Sequence, residues 1–414
     1  MIYLMEMIYQ KQLLNKIIEI ALQICLLIYL FFIPIEFHSA GFLSISICSS
    51  IILLVFKYNL DNKFKIDHTS LIIPFTLFFL WSLSSLIWSI LPGVTFKYVR
   101  REILTYLILY YVVRHSFDTE NKIKRVITVF FSSALFVQVY GIFAFFKGYA
   151  VFNGRLIATF FHPNVFGLFA AASLSFSMCY LIDFKNNYKE KILPLLVFIS
   201  GLVSLVFSSS RANMLGLVIA FLIMAIIKEK KLIFIFVILL IFSVILSPLQ
   251  REDLIMFRIT QLIYMFDIEK SPLGERFYMW NSAMQIIKDN PFTGIGYGKV
   301  FREEYVTRIP EEAVENRQPH SHNILLEIAL ETGLPGLFLF LWLHLLILKY
   351  LLNAFKNSKN EFYNKFLLGY SLFLIAFFMN GMVDFISRFR LGLLFWFLSS
   401  IMVLISKKCH NKQS

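Results

Sequence analysis

The sequence predicts an all-α integral membrane protein of about twelve transmembrane helices, with one large extramembrane loop that contains short amphipathic helices. Three observations carry that prediction. Of 414 residues, 58% are hydrophobic and 16% charged, and mean hydropathy is +0.71; soluble domains carry about 25% charged residues. The apolar residues fall in separate runs of about 17 to 25 residues, the length a helix needs to cross a bilayer. Alternating strand patterns are absent, which excludes a barrel, and backbone groups in lipid must be satisfied within their own segment, so helix is the default.

In chain order the first run, 16–36, follows Lys11 and Lys16 and is too long for a cleavable signal sequence. Run 40–57 comes next, then 70–91. Run 99–115 is the weakest of the set, because it opens on Arg100, Arg101 and Glu102. Run 125–146 leads to Asn153-Gly154-Arg155, and 163–182 opens on Pro163, which suits a first helical turn. Runs 191–208, 212–228 and 231–248 complete an N-terminal membrane bundle of about nine spans in 1–248. Residues 249–333 form the long loop. Runs 334–351, 363–381 and 389–406 make a C-terminal bundle of about three spans in 334–414. Cys25, Cys48, Cys179 and Cys409 lie in or beside spans with no CxxC pair, so neither a metal site nor a disulfide framework is expected. No cofactor and no nucleic-acid partner are expected.

Lys and Arg set the orientation. They concentrate in one alternate set of connecting segments, which puts both termini in the cytoplasm and residues 249–333 on the outer side. The inner cations are mostly Lys, whereas the few in short outer loops are mostly Arg. Lys is a hydrated point charge suited to anionic lipid heads; Arg presents a planar fork that binds phosphate bidentately. The bland explanation is residue choice at span ends, and the sharper one is an anionic, phosphate-bearing substrate on the outer face.

Several constellations could carry chemistry there. Arg155, after Asn153-Gly154, either snorkels or binds substrate. Arg211, in Ser208-Ser209-Ser210-Arg211-Ala212-Asn213, begins a helix beside hydroxyls and free backbone N–H groups, an arrangement that can hold an oxyanion and one that a purely structural cation would not favour. In the long loop, Arg276 opens a segment whose Phe277, Trp280, Met284 and Ile287 share a helical face. That helix lies on the membrane or packs over the bundle. Gly294-Ile295-Gly296-Tyr297-Gly298 lacks the full nucleotide-binding pattern and its βαβ setting, and reads as a turn. His320 and His322 precede Asn323 and a helical face that Gly333 stops, with Leu334-Pro335-Gly336 bending the chain back into the membrane. Histidine is matched to proton transfer near neutral pH; the alternatives are solvated loop residues or a metal pair that would still need further ligands. Last, Asp384 stands before Arg388 and Arg390, as a plain ion pair or as an orienting group.

In their order and spacing these motifs resemble the O-antigen ligase family: Ser-Arg-Ala at 210–212, Leu-Gly-x-Arg at 273–276, His-x-His-Asn at 320–323, Glu-x-Gly at 331–333, and Asp384 before an Arg. The resemblance implies a GT-C-like helical fold with a periplasmic catalytic loop. It also implies a glycosyltransferase of the bacterial inner membrane, with undecaprenyl-pyrophosphate-linked O-antigen as donor and a sugar hydroxyl of the lipid A–core oligosaccharide as acceptor. It carries over Arg211, Arg276 and His322 as catalytic and Asp384 as supporting, and implies no metal. The wider superfamily also contains O-antigen polymerases and protein O-oligosaccharyltransferases, and a lipid-linked glycan flippase is the non-enzyme alternative.

Overall fold

The computed structural model describes residues 2–36, 40–60, 69–182, 188–227, 272–298, 300–305, 307–308, 320–382 and 390–411. Every apolar run falls on helix except 231–248, which lies outside those residues. The helices are α1 (Ile2–Phe32), α2 (Ala40–Leu60), α3 (Ile72–Ser84, extended by a 3-10 turn over Ser85–Ile87), α4 (Pro92–Val99), α5 (Thr105–Arg114), α6 (Glu120–Phe146), α7 (Pro163–Leu181), α8 (Tyr188–Ser208), α9 (Arg211–Ile227), α10 (Pro272–Asp289), α11 (Phe301–Tyr305), α12 (Ile324–Asn357), α13 (Glu361–Gly381) and α14 (Arg390–Asn411). Among the described residues, eight helices are long and apolar enough to cross a membrane, and Ile72–Ile87 and Arg211–Ile226 are shorter apolar helices. The protein is an all-α integral membrane protein that crosses the bilayer several times.

The weakest run has a distinct form. A π-helical turn over Arg100–Leu104 joins α4 to α5, and Thr105 Oγ1 donates to the Arg100 carbonyl across it at 3.1 Å. The wider turn buries Glu102, whose carboxylate accepts from Tyr297 Oη at 2.9 Å. The apolar part of this run lies on α5, and the Tyr297 hydroxyl gives the buried Glu102 carboxylate a hydrogen-bond partner.

α14 is apolar on all sides and sits at the centre, packed against α5 and α12. α7, α9 and α13 pack as a trio, and α8 lies against α6 and α7. The long section of α12 leaves Phe338, Leu341, Leu345, Leu348 and Leu352 exposed. Their spacing of three and four residues draws one stripe down the helix, the signature of a face turned to lipid.

α12 is two helices in one. Gly333 (φ 69°, ψ 179°) breaks it, with Pro335 two residues on, so Ile324–Thr332 is a separate section set at an angle to the span. The bend expected at Gly333–Gly336 is where the sequence puts it. The only strands among the described residues are Val151–Phe152 (β1) and Arg155–Leu156 (β2), an antiparallel hairpin whose Asn153-Gly154 turn has both residues at positive φ.

Candidate active site

Several helix ends meet at one end of the bundle. α1 finishes there, and α7, α9, α12 and α14 begin there. Arg390 Nη1 donates to the carbonyls of Phe32 and Ile33 at 3.3 Å each, capping the last turn of α1. Glu36 accepts from the Phe161 N–H at 3.0 Å, and burial pushes its carboxyl above the usual range against the opposing pull of Arg390 and Arg101.

The α8–α9 corner is tight. Ser208, Ser209 and Ser210 are all buried, and Ser209 turns the chain at φ 54°. Arg211 is the first residue of α9 and is exposed, as its place in the sequence indicates. Arg155 reaches the same corner from the hairpin. Its Nε donates to the Ser208 carbonyl at 2.9 Å, and its Nη2 to the Ser209 carbonyl at 3.4 Å and to Asn164 Oδ1. Arg155 thus caps the C-terminus of α8, where a cation is favourable. Two of the arginines expected on the outer side, Arg155 and Arg390, bind helix-end carbonyls, which gives that Arg bias a structural component as well.

The histidine loop is held from three directions. Asn323 caps α12, its Oδ1 accepting from Leu325 N and Leu326 N at 3.0 and 3.2 Å. Its amide donates to the Met382 carbonyl at 3.3 Å, tying the loop to the end of α13. Glu327, fully buried, accepts the Ser321 N–H at 2.6 Å. His322 then sits at φ 54°, a left-handed conformation uncommon for a residue with a Cβ. Its ring meets that of His320 edge-on, centroids 4.2 Å apart, and both rings are half-buried.

A buried amide pair joins the two regions. Asn380 Nδ2 donates to Asn213 Oδ1 at 2.7 Å, and both side chains are fully buried. Asn213 lies in the first turn of α9 beside Arg211, and Asn380 in the last turn of α13 beside the Met382 carbonyl that Asn323 grips. The structure therefore brings the Arg211 corner, Arg155, Asn323 and the two histidines to one end of the molecule. Asp384 and Arg388 lie outside the described residues.

Arg276 is half-buried near the start of α10. The face of Phe277, Trp280, Met284 and Ile287 is largely outside the contact with α12, as it would be where the helix lies on the membrane. Met279, Ala283 and Ile286 are buried against Ala329 and Leu330 of α12, whereas Phe277 and Met284 are exposed; only Ile287, of those four, belongs to the buried stripe. Smaller side chains allow the close approach, and the large ones point away. α10 and the first section of α12 are joined where they end, by Leu334 N donating to the Pro291 carbonyl at 2.7 Å.

The glycine run does more than turn. Ile295 N and Gly296 N donate to the carbonyls of Leu330 and Glu331 at 2.9 and 3.0 Å, and Ile90 N donates to the Ile295 carbonyl at 3.2 Å. The segment is wedged between α12 and the α3–α4 connection. A Cβ on Gly296 would stand 2.2 Å from Ser89 Oγ. Among the described residues, no group of three or more His, Cys, Asp and Glu side chains could hold a metal ion. Glu327, Asn213 and Asn380 went unassigned in the sequence. The signal that could have found them is a polar residue inside an otherwise apolar helix, which is costly in a membrane protein and needs a partner.

Fold and site together define a multi-pass helical membrane protein whose polar motifs gather at one end of the bundle. Residues 195–341 match the family model described as O-Antigen ligase, so the resemblance read from the motifs holds over that segment. The likeness is to that family over this segment. The segment includes Arg211, Arg276 and His322; Arg155, Asp384 and Arg388 fall outside it. A protein of Rickettsia conorii (strain Malish 7), provisionally named a polysaccharide ligase, is 26% identical over 253 residues. That match covers 58% of this chain and 56% of the relative, so the chain spans little more than half the length of the relative it matches.

Proposed function

We propose that this protein is a glycosyltransferase that moves an O-antigen glycan from undecaprenyl pyrophosphate to a sugar hydroxyl of the lipid A–core oligosaccharide. The observation that carries the reading is the bridge between the Arg211 corner and the His322 loop: a helix-start cation and a candidate proton acceptor from distant parts of the chain meet at one end. Arg276 is added to the same site on its motif, with α10 packed against the helical section that follows the histidine loop. That end is taken as periplasmic, with both termini cytoplasmic, from the distribution of Lys and Arg.

In the reaction the acceptor oxygen attacks the anomeric carbon of the donor glycan. The bond from that carbon to the phosphate oxygen breaks, and undecaprenyl pyrophosphate leaves. Arg211 and Arg276 pair with the pyrophosphate and stabilise the charge that grows on it. Such charge stabilisation is often the largest catalytic contribution. His322 takes the proton from the attacking hydroxyl, and a single displacement inverts the anomeric centre. Asn323 and His320 support the loop that presents His322.

The test is gel analysis of lipopolysaccharide from a strain lacking this protein, with parallel analysis of undecaprenyl-linked glycan. Rough lipopolysaccharide with accumulated long lipid-linked polymer is expected. Short lipid-linked glycan on otherwise capped core would make the protein a polymerase, and loss of glycan from protein alone would make it an oligosaccharyltransferase. Accumulation of donor on the cytoplasmic face only, with no transfer by purified protein in detergent, would make it a flippase.

A further inference from the structure

We propose that Asn213 and Asn380 are positioning residues whose buried amide–amide hydrogen bond fixes the separation of Arg211 and His322. The inference rests on the transferase reading above. The path between the two functional side chains is short: Arg211 to Asn213 along α9, a 2.7 Å hydrogen bond to Asn380, two residues to Met382, and a 3.3 Å hydrogen bond from Asn323, next to His322.

Three features distinguish this bridge from ordinary packing. First, its orientation is set on both sides. Asn213 Nδ2 donates to the Asn164 carbonyl at 2.8 Å and to Ser210 Oγ at 2.7 Å, which leaves Oδ1 directed at Asn380. Secondly, glycines clear space for it. A Cβ on Gly167 would stand 2.8 Å from Asn213 Nδ2, and one on Gly381 would stand 3.3 Å from Ile324 in the first turn of α12. Thirdly, Asn380 Oδ1 is buried and accepts no hydrogen bond among the described residues. A pair of leucines would hold α9 to α13 without an orphaned acceptor. Leucines would not fix the rotation and height of one helix against the other, whereas a single polar pair in an apolar interface can set register. Relative placement of the cation and the histidine is what the transfer step requires, and an error of about 1 Å in a reacting geometry can cost about a hundredfold in rate.

The experiment uses purified full-length protein with undecaprenyl-pyrophosphate-linked glycan as donor and lipid A–core oligosaccharide as acceptor. Turnover, donor KM and thermal unfolding are compared for Asn213→Leu, Asn380→Leu and the double variant, beside Arg211→Ala and His322→Ala. Each single Leu variant is expected to lower kcat by about 10- to 100-fold with donor KM close to wild type, measured on the folded fraction because the partner amide left unpaired lowers the unfolding temperature. The double variant is expected to be no worse than the worse single, because one shared contact is lost. Unchanged kcat, or loss of kcat that only tracks loss of folded protein, would overturn the proposal. If the Leu variants do not fold, Asn213→Ser and Asn380→Ser, too short to make the bridge, are judged by the same rule. Dead Arg211→Ala and His322→Ala beside fully active Asn variants would sink the bridge alone. No transfer by wild type, or full transfer by the Arg and His variants, would sink the transferase reading and the bridge with it.

Discussion

His322 is the residue where backbone and side chain can be separated by experiment. Its positive φ costs a residue with a Cβ something that glycine would not bear. His322→Gly is therefore expected to fold at least as well as wild type and to lose transfer, whereas His322→Val, β-branched, should lower the unfolding temperature too. Arg211→Ala, Arg276→Ala and His322→Ala should each reduce transfer by about 10²- to 10³-fold, the usual cost of removing one charge-stabilising or proton-transfer group. Arg211→Lys should fall well short of wild type, because an ammonium cannot make the two-point contact of a guanidinium. Quantifying capped core in complemented cells at matched protein level checks all four. Glu36 offers a separate measurement. Its folded pKa is raised, so the protonated carboxyl favours the fold, and that contribution is lost as pH rises through the folded pKa. Glu36→Gln retains an acceptor for Phe161 N–H and should flatten the fall in unfolding temperature as pH rises from the ordinary carboxylate range through the raised folded pKa; an unaltered pH profile would refute this account.

At the level of single elements, helix positions were legible and helix faces were not. Apolar runs marked the spans because a lipid-crossing segment needs length and hydrophobicity and little else. The α10 face that packs on α12 was not legible, because the large apolar side chains draw the eye to another face. Helix contacts in a membrane protein favour small residues that let backbones approach, and Ala283 sits in the contact while Phe277 faces outward. The hairpin at 151–156 was also not legible. Asn153-Gly154 announced a relaxed turn, but strands of two residues show no periodicity. The sequence leaves Arg155 open between a snorkelling cation and a substrate ligand, because the carbonyls at the end of α8 that it meets lie far along the chain. The break in α12 was readable, and it makes an element-scale prediction. A Cβ at Gly333 would lie 2.3 Å from the Phe292 carbonyl oxygen, in a backbone region open to glycine. Gly333→Ala should destabilise by at least about 1–3 kcal/mol, seen as a lower unfolding temperature in detergent.

For the whole molecule, the arrangement of ends predicts topology. α12 starts beside the end of α13, and Ser358 to Asn360 turns the chain at the opposite end, where Asn360 Nδ2 donates to Glu120 Oε2 at 2.8 Å. A cysteine introduced at Arg302, which is exposed, should react with a membrane-impermeant thiol reagent in intact cells, and one at Lys359 should react only after permeabilisation. The background is a variant lacking exposed Cys48. The reverse pattern would invert the assigned orientation and place the candidate site in the cytoplasm.

The glycine run wedged between α12 and the α3–α4 connection limits how this protein can be recombined with its relatives. Trp81 Nε1 donates to the Thr332 carbonyl and Trp88 Nε1 to the Thr293 carbonyl, both at 2.8 Å, and Tyr98 and Ser89 lie flush against Gly298 and Gly296. A chimera that imports only the long loop from a similar protein would bring in a foreign wedge without the groove shaped for it. Residues 81–102 must travel with that loop. Although far apart along the chain, the two segments form one unit of inheritance.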